Sequence, residues 1–184
     1  MTPIFDKNWT LFLDRDGVIN ERLPGKYIST WAQFEFTSNA LAAIKIFNKI
    51  FGKIIIVTNQ QGIGKGLMTD KDLNSIHKKM ENTILKAGGR IDGIYYCPDL
   101  KTVKNNCRKP NPAMALQAQK DFPGIDFQQS IIVGDSISDI VFGQQLKMYT
   151  VFIQGKKEEA EASKQLTVDE RHSNLYQFAL TLEE

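Results

Sequence analysis

The sequence predicts an open, Rossmann-like parallel α/β sheet with helices on both faces. Three observations lead there. Short apolar runs, several rich in Ile and Val, recur along the chain; longer segments with helical spacing separate them; and glycines, acids and cations gather where the runs end. Continuous apolar runs suit strands buried on both faces, and alternation of strand with helix is the pattern of a parallel sheet. Ligands of such sheets sit outside the carboxyl ends of the strands, which is where the unusual residues fall.

Taken in order, residues 10–13, 54–57, 91–96, 131–133 and 150–153 read as buried strands. Ala40, Leu41, Ile44 and Phe47 mark a first helix opening near Ser38, and Leu73, Ile76, Met80 and Ile84 mark a second opening near Thr69 or Asp70. Ala115 and Ala118 follow Asn111-Pro112, a helix start, and Ile140, Gln144 and Leu146 follow Ser136 and Ser138. Each start carries a residue suited to capping free backbone N–H groups. Residues 155–170 are polar and charged and read as a solvated loop or frayed helix, before a last short helix near 175–182.

A chain of 184 residues with 42% hydrophobic content supports one substantial core, so a single domain over 1–184 is expected. Lys and Arg total 23 against 21 Asp and Glu, a net charge of +2, which creates no field to draw in nucleic acid or an anionic membrane. No apolar run approaches the ~20 residues that span a bilayer, and residues 1–7 lack a signal-peptide apolar region. A cytoplasmic monomer without nucleic-acid or membrane partners is the expectation. Cys97 and Cys107 are too few for a disulfide framework and are expected to be thiols or metal ligands.

Four segments carry chemistry. The first strand ends in Leu13-Asp14-Arg15-Asp16-Gly17, two acids where an apolar run gives way to a glycine turn. Mg²⁺ would compensate them through hard oxygen ligands, with Asp14 as nucleophile towards phosphorus and Asp16 as general acid and base. A surface Asx turn is the plainer alternative. The second strand ends in Val57-Thr58-Asn59-Gln60-Gln61-Gly62-Ile63-Gly64-Lys65-Gly66. Thr58 could donate to a phosphoryl oxygen with Asn59 and the glycine amides beside it, or the glycines could form a flexible turn. Neither the Walker pattern nor the dinucleotide glycine triplet is present. In Arg108-Lys109-Pro110, Lys109 can balance the nucleophile and Arg108 has the fork for a second anion, unless the two are an ordinary solvated pair. Finally Gly134-Asp135-Ser136-Ile137-Ser138-Asp139 supplies Asp135 as a further metal ligand and Asp139 to orient Lys109 or a metal-bound water, with helix capping as the competing role. One phosphoryl-transfer site accounts for all four segments, because such transfer is chiefly positioning and charge neutralisation.

These residues resemble the haloacid dehalogenase superfamily: Asp14-Arg15-Asp16-Gly17, Thr58, Lys109, and Gly134-Asp135 with Asp139 match its four motifs in order over essentially the whole chain. Asp14–Asn20, Thr58–Gly64, Asp92–Pro98 and Arg108-Lys109-Pro110 are similar to the branch of heptose bisphosphate and histidinol-phosphate phosphatases. The resemblance implies an aspartyl-phosphate intermediate, Mg²⁺ held by Asp14, the Asp16 carbonyl and Asp135, and a small sugar or polyol phosphate as substrate. It implies no large cap domain. It also implies that Thr58 and Lys109 steady the phosphoryl group, that Asn59 and Arg108 recognise the rest of the substrate, and that residues 20–25 form a flap over the site in which Asn20 contacts the substrate. Ser136 stands where the branch carries a substrate-binding lysine, and Ala113 where it carries glycine.

The branch's zinc loop is altered as well. Its ligand positions fall on Cys97, Asp99, Asn105 and Cys107, so two soft ligands are missing and structural zinc is expected to be absent, with the cysteines reduced. His77 and His172 read as ordinary helix or surface histidines. Two other functions stay open: a polynucleotide 3′-phosphatase, whose second motif is similar, and a non-catalytic phosphate- or metal-binding module on the same fold.

Overall fold

The computed structural model describes residues 3–155 and 157–183. Met1, Thr2, Lys156 and Glu184, which fall in the expected 1–184 domain and, for Lys156, in the 155–170 loop, lie outside the described residues. Strands β1 (Thr10–Leu13), β2 (Lys53–Asn59), β3 (Gly93–Cys97), β4 (Ser130–Gly134), β5 (Tyr149–Ile153) and β6 (Glu170–His172) form one parallel sheet in the order β3-β2-β1-β4-β5-β6. Helices α1 (Ala40–Ile50), α2 (Asp70–Lys86), α3 (Ala113–Asp121), α4 (Ile137–Gln145), α5 (Lys157–Ser163) and α6 (Leu175–Thr181) complete the fold.

Side chains alternate across a strand, so β1 divides its residues between two cores. Leu11 and Leu13 join Ile54, Ile56, Ile131 and Val133 beneath α1, α2 and α6. Phe12 joins Ile55, Val57 and Ile132 on the opposite face, against Met114 and Ala118 of α3 and Phe142 of α4. Helices therefore cover both faces, as the periodicity implies.

Three local readings change. The third strand starts at Gly93 rather than at residue 91, because the Asp92 carboxylate itself accepts the Ile54 N–H at 2.7 Å and is fixed by Arg90. Strand β6 was not expected: its three polar residues carry no apolar run, and it exists by backbone pairing with β5. Within 155–170 the helical alternative is found, a seven-residue helix, α5, but its Ser163 is buried rather than solvated and accepts from Arg171 Nη1 at 2.8 Å. At α2 and α4 the caps are as read, with Thr69–Asp72 and Ser136–Asp139 capping boxes, whereas α1 opens at Asn39 in a left-handed conformation and not at Ser38.

The cysteines and one histidine also differ from expectation. Cys97 and Cys107 are joined by a disulfide, not held as two thiols, because the 98–106 loop folds back and returns Cys107 to the end of β3. The loop is fastened by Asp99, whose carboxylate accepts the Cys107 N–H at 2.9 Å, and by Asn106, which donates to Val103 O at 2.8 Å. His77 lies on α2 but is buried, not at the surface.

Candidate active site

The sheet order reverses direction at β1 and β4, which leaves a crevice beyond their carboxyl ends. Asp14 follows β1 directly and its N–H donates to Val133 O at 2.9 Å, extending the ladder by one residue and fixing the carboxylate at that crevice. Asp135 follows β4 and faces it. The chain turns away at Gly17 with φ of 93°, where a Cβ would come within 2.0 Å of Asp135 Oδ2 and 2.6 Å of Arg22 Nε. Only glycine allows Asp135 and Arg22 to approach the backbone this closely.

Lys109 is buried beneath Asp14. Its ammonium lies 2.8 Å from Asp14 Oδ1 and 2.6 Å from Asp139 Oδ1, and donates to Val57 O at 2.7 Å, so all three donors are committed. The Asp139 contact is an ion pair rather than an aligned hydrogen bond. Burial disfavours the charged ammonium, but Asp139 and Asp14 outweigh it and hold Lys109 protonated more firmly than usual. Asp14 is pushed up to about 7 by burial, with Asp139 and Asp135 adding to the shift against Lys109 and Arg22. Asn59 clamps this lysine from behind: its Oδ1 accepts the Lys109 N–H at 2.9 Å.

Asp16 occupies a different environment. Burial raises its affinity for a proton, yet Arg15, Asn20 and Gln60 together hold it below the ordinary carboxylate range. Arg15 Nη2 donates to both carboxylate oxygens, at 2.8 and 3.0 Å, Asn20 Nδ2 donates to Oδ1 at 3.0 Å, and Gln60 Nε2 donates to Oδ2 at 2.7 Å. Gln60 also donates to the Thr58 hydroxyl at 2.9 Å, which leaves the Thr58 proton free for another acceptor. Arg15 is itself enclosed, with Nη1 3.1 Å from His77 Nε2. Burial and then the Arg15 charge lower His77 to about 3, so the ring is neutral and Nε2 accepts.

The residues expected to act together do converge: Asp14, Asp16, Thr58, Lys109, Asp135 and Asp139 occupy one strand edge. Three candidate substrate contacts are placed differently. Asn20 is 0% exposed and its amide is turned onto Asp16 and the Glu21 carbonyl, so a substrate meets it only through Asp16. The Ser136 hydroxyl is engaged by Asp139 Oδ2 at 2.6 Å and Ser138 Oγ at 2.8 Å, because Ser136 caps α4. Asp139 serves both capping and Lys109. Asn59 works on the lysine backbone. Arg108 is half-buried and donates from Nη1 to Asp99 O at 3.2 Å, outside the Lys109 cluster.

Four residues received no role of their own from the sequence: Arg15, Gln60, His77 and Arg22, the last expected only as part of the 20–25 flap. Arg15 and Gln60 sit inside the motifs, and their signal was a charge or amide where an apolar strand ends. Arg22 donates from Nε to Asp135 Oδ2 at 2.8 Å and from Nη2 to Oδ1 at 2.5 Å. Burial and then this pairing set the Asp135 carboxyl, whose net displacement is upward.

The donor set fits a hard divalent cation. Oxygens of Asp14, Asp135 and Asp139 lie within 4.8 Å of one another, and the glycine at position 17 lets the Asp135 carboxylate come up against the turn after β1. Asp139 is fully buried with Oδ1 on Lys109 and Oδ2 on Ser136, whereas the Asp14 contact with Lys109 uses Oδ1 alone, so Asp14 and Asp135 are the better ligands. A second group within the same distance limit, Cys97, Asp99 and Cys107, has its sulfurs consumed in the disulfide. No helix among the described residues is long and apolar enough to cross a membrane.

Comparison with known proteins gives concordant matches. The HAD-hydrolase-like family profile matches residues 106–176. A D-glycero-alpha-D-manno-heptose-1,7-bisphosphate 7-phosphatase from Mycobacterium bovis is 42% identical over 132 residues, covering 72% of this chain and 70% of that protein. The D-glycero-beta-D-manno-heptose-1,7-bisphosphate 7-phosphatase of Helicobacter pylori is 36% identical over 142 residues, covering 77% of this chain and 80% of its own length. Among solved structures, the D,D-heptose 1,7-bisphosphate phosphatase of B. bronchiseptica, complexed with magnesium and phosphate, superposes with a TM-score of 0.87 at 25% identity, over 95% of this chain and 98% of that one.

Proposed function

The chain belongs to the haloacid dehalogenase-like phosphatases, in the family of the heptose-1,7-bisphosphate 7-phosphatases, and on that premise we propose that it hydrolyses a heptose bisphosphate at Asp14. The observation that carries the assignment of the nucleophile is the position of Asp14: at the crevice between β1 and β4, on Lys109, with Asp135 facing it.

In this reading an Asp14 oxygen attacks phosphorus, forming an acyl phosphate as the bond from phosphorus to the sugar oxygen breaks. Asp16 delivers a proton to the departing alkoxide, then takes one from the water that attacks the phosphoryl group and regenerates Asp14. The base half suits the ionised Asp16; the acid half needs the phosphate dianion beside it, whose charge draws a proton onto the carboxylate. Thr58 offers its free hydroxyl proton to a phosphoryl oxygen, Lys109 fixes Asp14 from below and supplies positive charge beneath the phosphoryl group, and Arg15, Asn20 and Gln60 aim Asp16. Asp14, the Asp16 carbonyl and Asp135 would hold Mg²⁺, which supplies charge neutralisation of the phosphoryl group when bound.

Arg108 is the candidate for the phosphate that is not cleaved. Its fork lies at the loop edge and is not spent on a carboxylate, while Ser136 offers only an engaged hydroxyl. Arg108→Ala is expected to raise KM for heptose 1,7-bisphosphate by about 10-fold or more while changing KM for p-nitrophenyl phosphate by less than about 2-fold. Steady-state kinetics on both anomers of the bisphosphate, histidinol phosphate and a 3′-phosphorylated oligonucleotide tests the substrate class. Higher kcat/KM on either of the last two would displace the heptose reading.

We also read the 98–106 loop as zinc-free. Support comes from the missing soft ligands at Asp99 and Asn105 and from the disulfide that consumes the two sulfurs. Metal analysis of protein purified without chelator should find zinc well below stoichiometric; one equivalent that resists dialysis and is lost on replacing Cys97 and Cys107 by Ser would overturn this. A single domain acting as a monomer on a small phosphorylated sugar completes the reading, and the net charge of +2 supports a partner that is neither nucleic acid nor membrane. A cytoplasmic location follows from that substrate class, and the disulfide is the feature that runs against it.

A further inference from the structure

The segment after β1 brings a second cation into the site that none of the steps above uses. Arg22 Nη2 lies 2.5 Å from Asp135 Oδ1 and 3.6 Å from Asp14 Oδ2, while Nε donates to Asp135 Oδ2 at 2.8 Å. One nitrogen thus stands between the two carboxylates. A divalent ion held by Asp14 and Asp135 would need the space that this nitrogen fills, and two cations at contact distance in a buried site repel strongly. The fork also engages both oxygens of Asp135, leaving neither with its inward side open.

The surroundings permit exchange. The Arg22 side chain is 33% exposed and reaches inward from the rim, while the backbone beside it is tied down: the Glu21 N–H donates to Glu35 O at 2.8 Å and Asn20 is fixed on Asp16. Rotation of one side chain, without movement of the segment, clears the space. Lys109 cannot substitute, since its three donors face Asp14, Asp139 and Val57 from below.

We infer that Arg22 is the internal counter-cation of Asp14 and Asp135 in the metal-free protein, and that a divalent metal enters only by displacing it. The inference rests on the metal site proposed above and adds a competitor built into the chain. It explains how two buried acids above an already committed lysine are tolerated before metal binds.

The test is Mn²⁺ binding to purified protein without substrate, read as loss of the free-ion electron paramagnetic resonance signal. Arg22→Gln is expected to bind Mn²⁺ about 10-fold more tightly than wild type, because no guanidinium must first be expelled. Its metal-free melting temperature should fall, and saturating Mg²⁺ should close the gap to wild type. Arg22→Lys, which keeps a charge but loses the fork, should tighten Mn²⁺ binding by a smaller factor and serves as the measurement if Arg22→Gln does not fold without metal. Equal or weaker Mn²⁺ binding in the variants would overturn the inference while leaving the metal site intact. If wild type, Arg22→Gln and Asp135→Asn all fail to bind Mn²⁺, the metal site itself falls, and the inference with it.

Discussion

Asp14→Asn is expected to lower kcat by about four orders of magnitude or more while the protein remains folded, because an amide oxygen cannot replace the carboxylate as nucleophile. The fold should survive for reasons visible at the site. The side chain is nearly isosteric, the Asp14 N–H to Val133 O bond is a backbone contact, and Lys109 keeps Asp139 and Val57 O as partners. Burial already works against the Asp14 charge, so neutralising it relieves a cost even as it removes one partner from Lys109. Single-turnover measurement with the bisphosphate, alongside a thermal melt, checks both halves. A folded variant turning over near the wild-type rate would move the nucleophile elsewhere.

Lys109→Met is expected to have the largest effect on stability. Lys109 is the cation shared by Asp14 and Asp139, both buried, and removing it leaves two carboxylates facing each other with no charge between them. Breaking a buried ion pair in this way costs about 3–5 kcal/mol, since the remaining charge keeps its desolvation penalty without compensation. Activity should fall by about a thousandfold or more as well, because the phosphoryl group loses its fixed positive neighbour. Adding Asp139→Asn should recover part of the stability and none of the activity. Urea denaturation of the two variants decides the matter: a loss below about 1 kcal/mol for Lys109→Met would mean that the ion triad contributes little.

Three of the four motif segments could be placed by sequence because each lies at the end of an apolar strand. Asp14, Thr58 and Asp135 follow or close runs of Ile, Val, Leu and Phe, and a parallel sheet brings such ends to one edge whatever the details of packing. Lys109 was legible for a different reason, its place in Arg-Lys-Pro before a helix. The residues without an expected role act through other side chains rather than on substrate. Arg15 lies between two acids in sequence, but its enclosure beside His77, 62 residues away, depends on how α2 packs. Gln60 reaches Asp16 from just beyond the end of β2, and Arg22 reaches Asp135 across 113 residues.

The sequence by itself determined the layered α/β fold, the identity of the acids and cations at its edge, and the family to which they belong. Periodicity and chain order report those properties directly, since they depend on local geometry and on which faces must be buried. Tertiary structure alone decided which donor meets which acceptor. It turned Asn20 and Ser136 inward onto Asp16 and Asp139, joined Cys97 to Cys107, formed β6 from polar residues and set Arg22 between Asp14 and Asp135. Hydrogen bonds and ion pairs act over a few ångströms between residues far apart in sequence. No local pattern encodes them until packing has brought the strand ends and the segment after β1 to the same crevice.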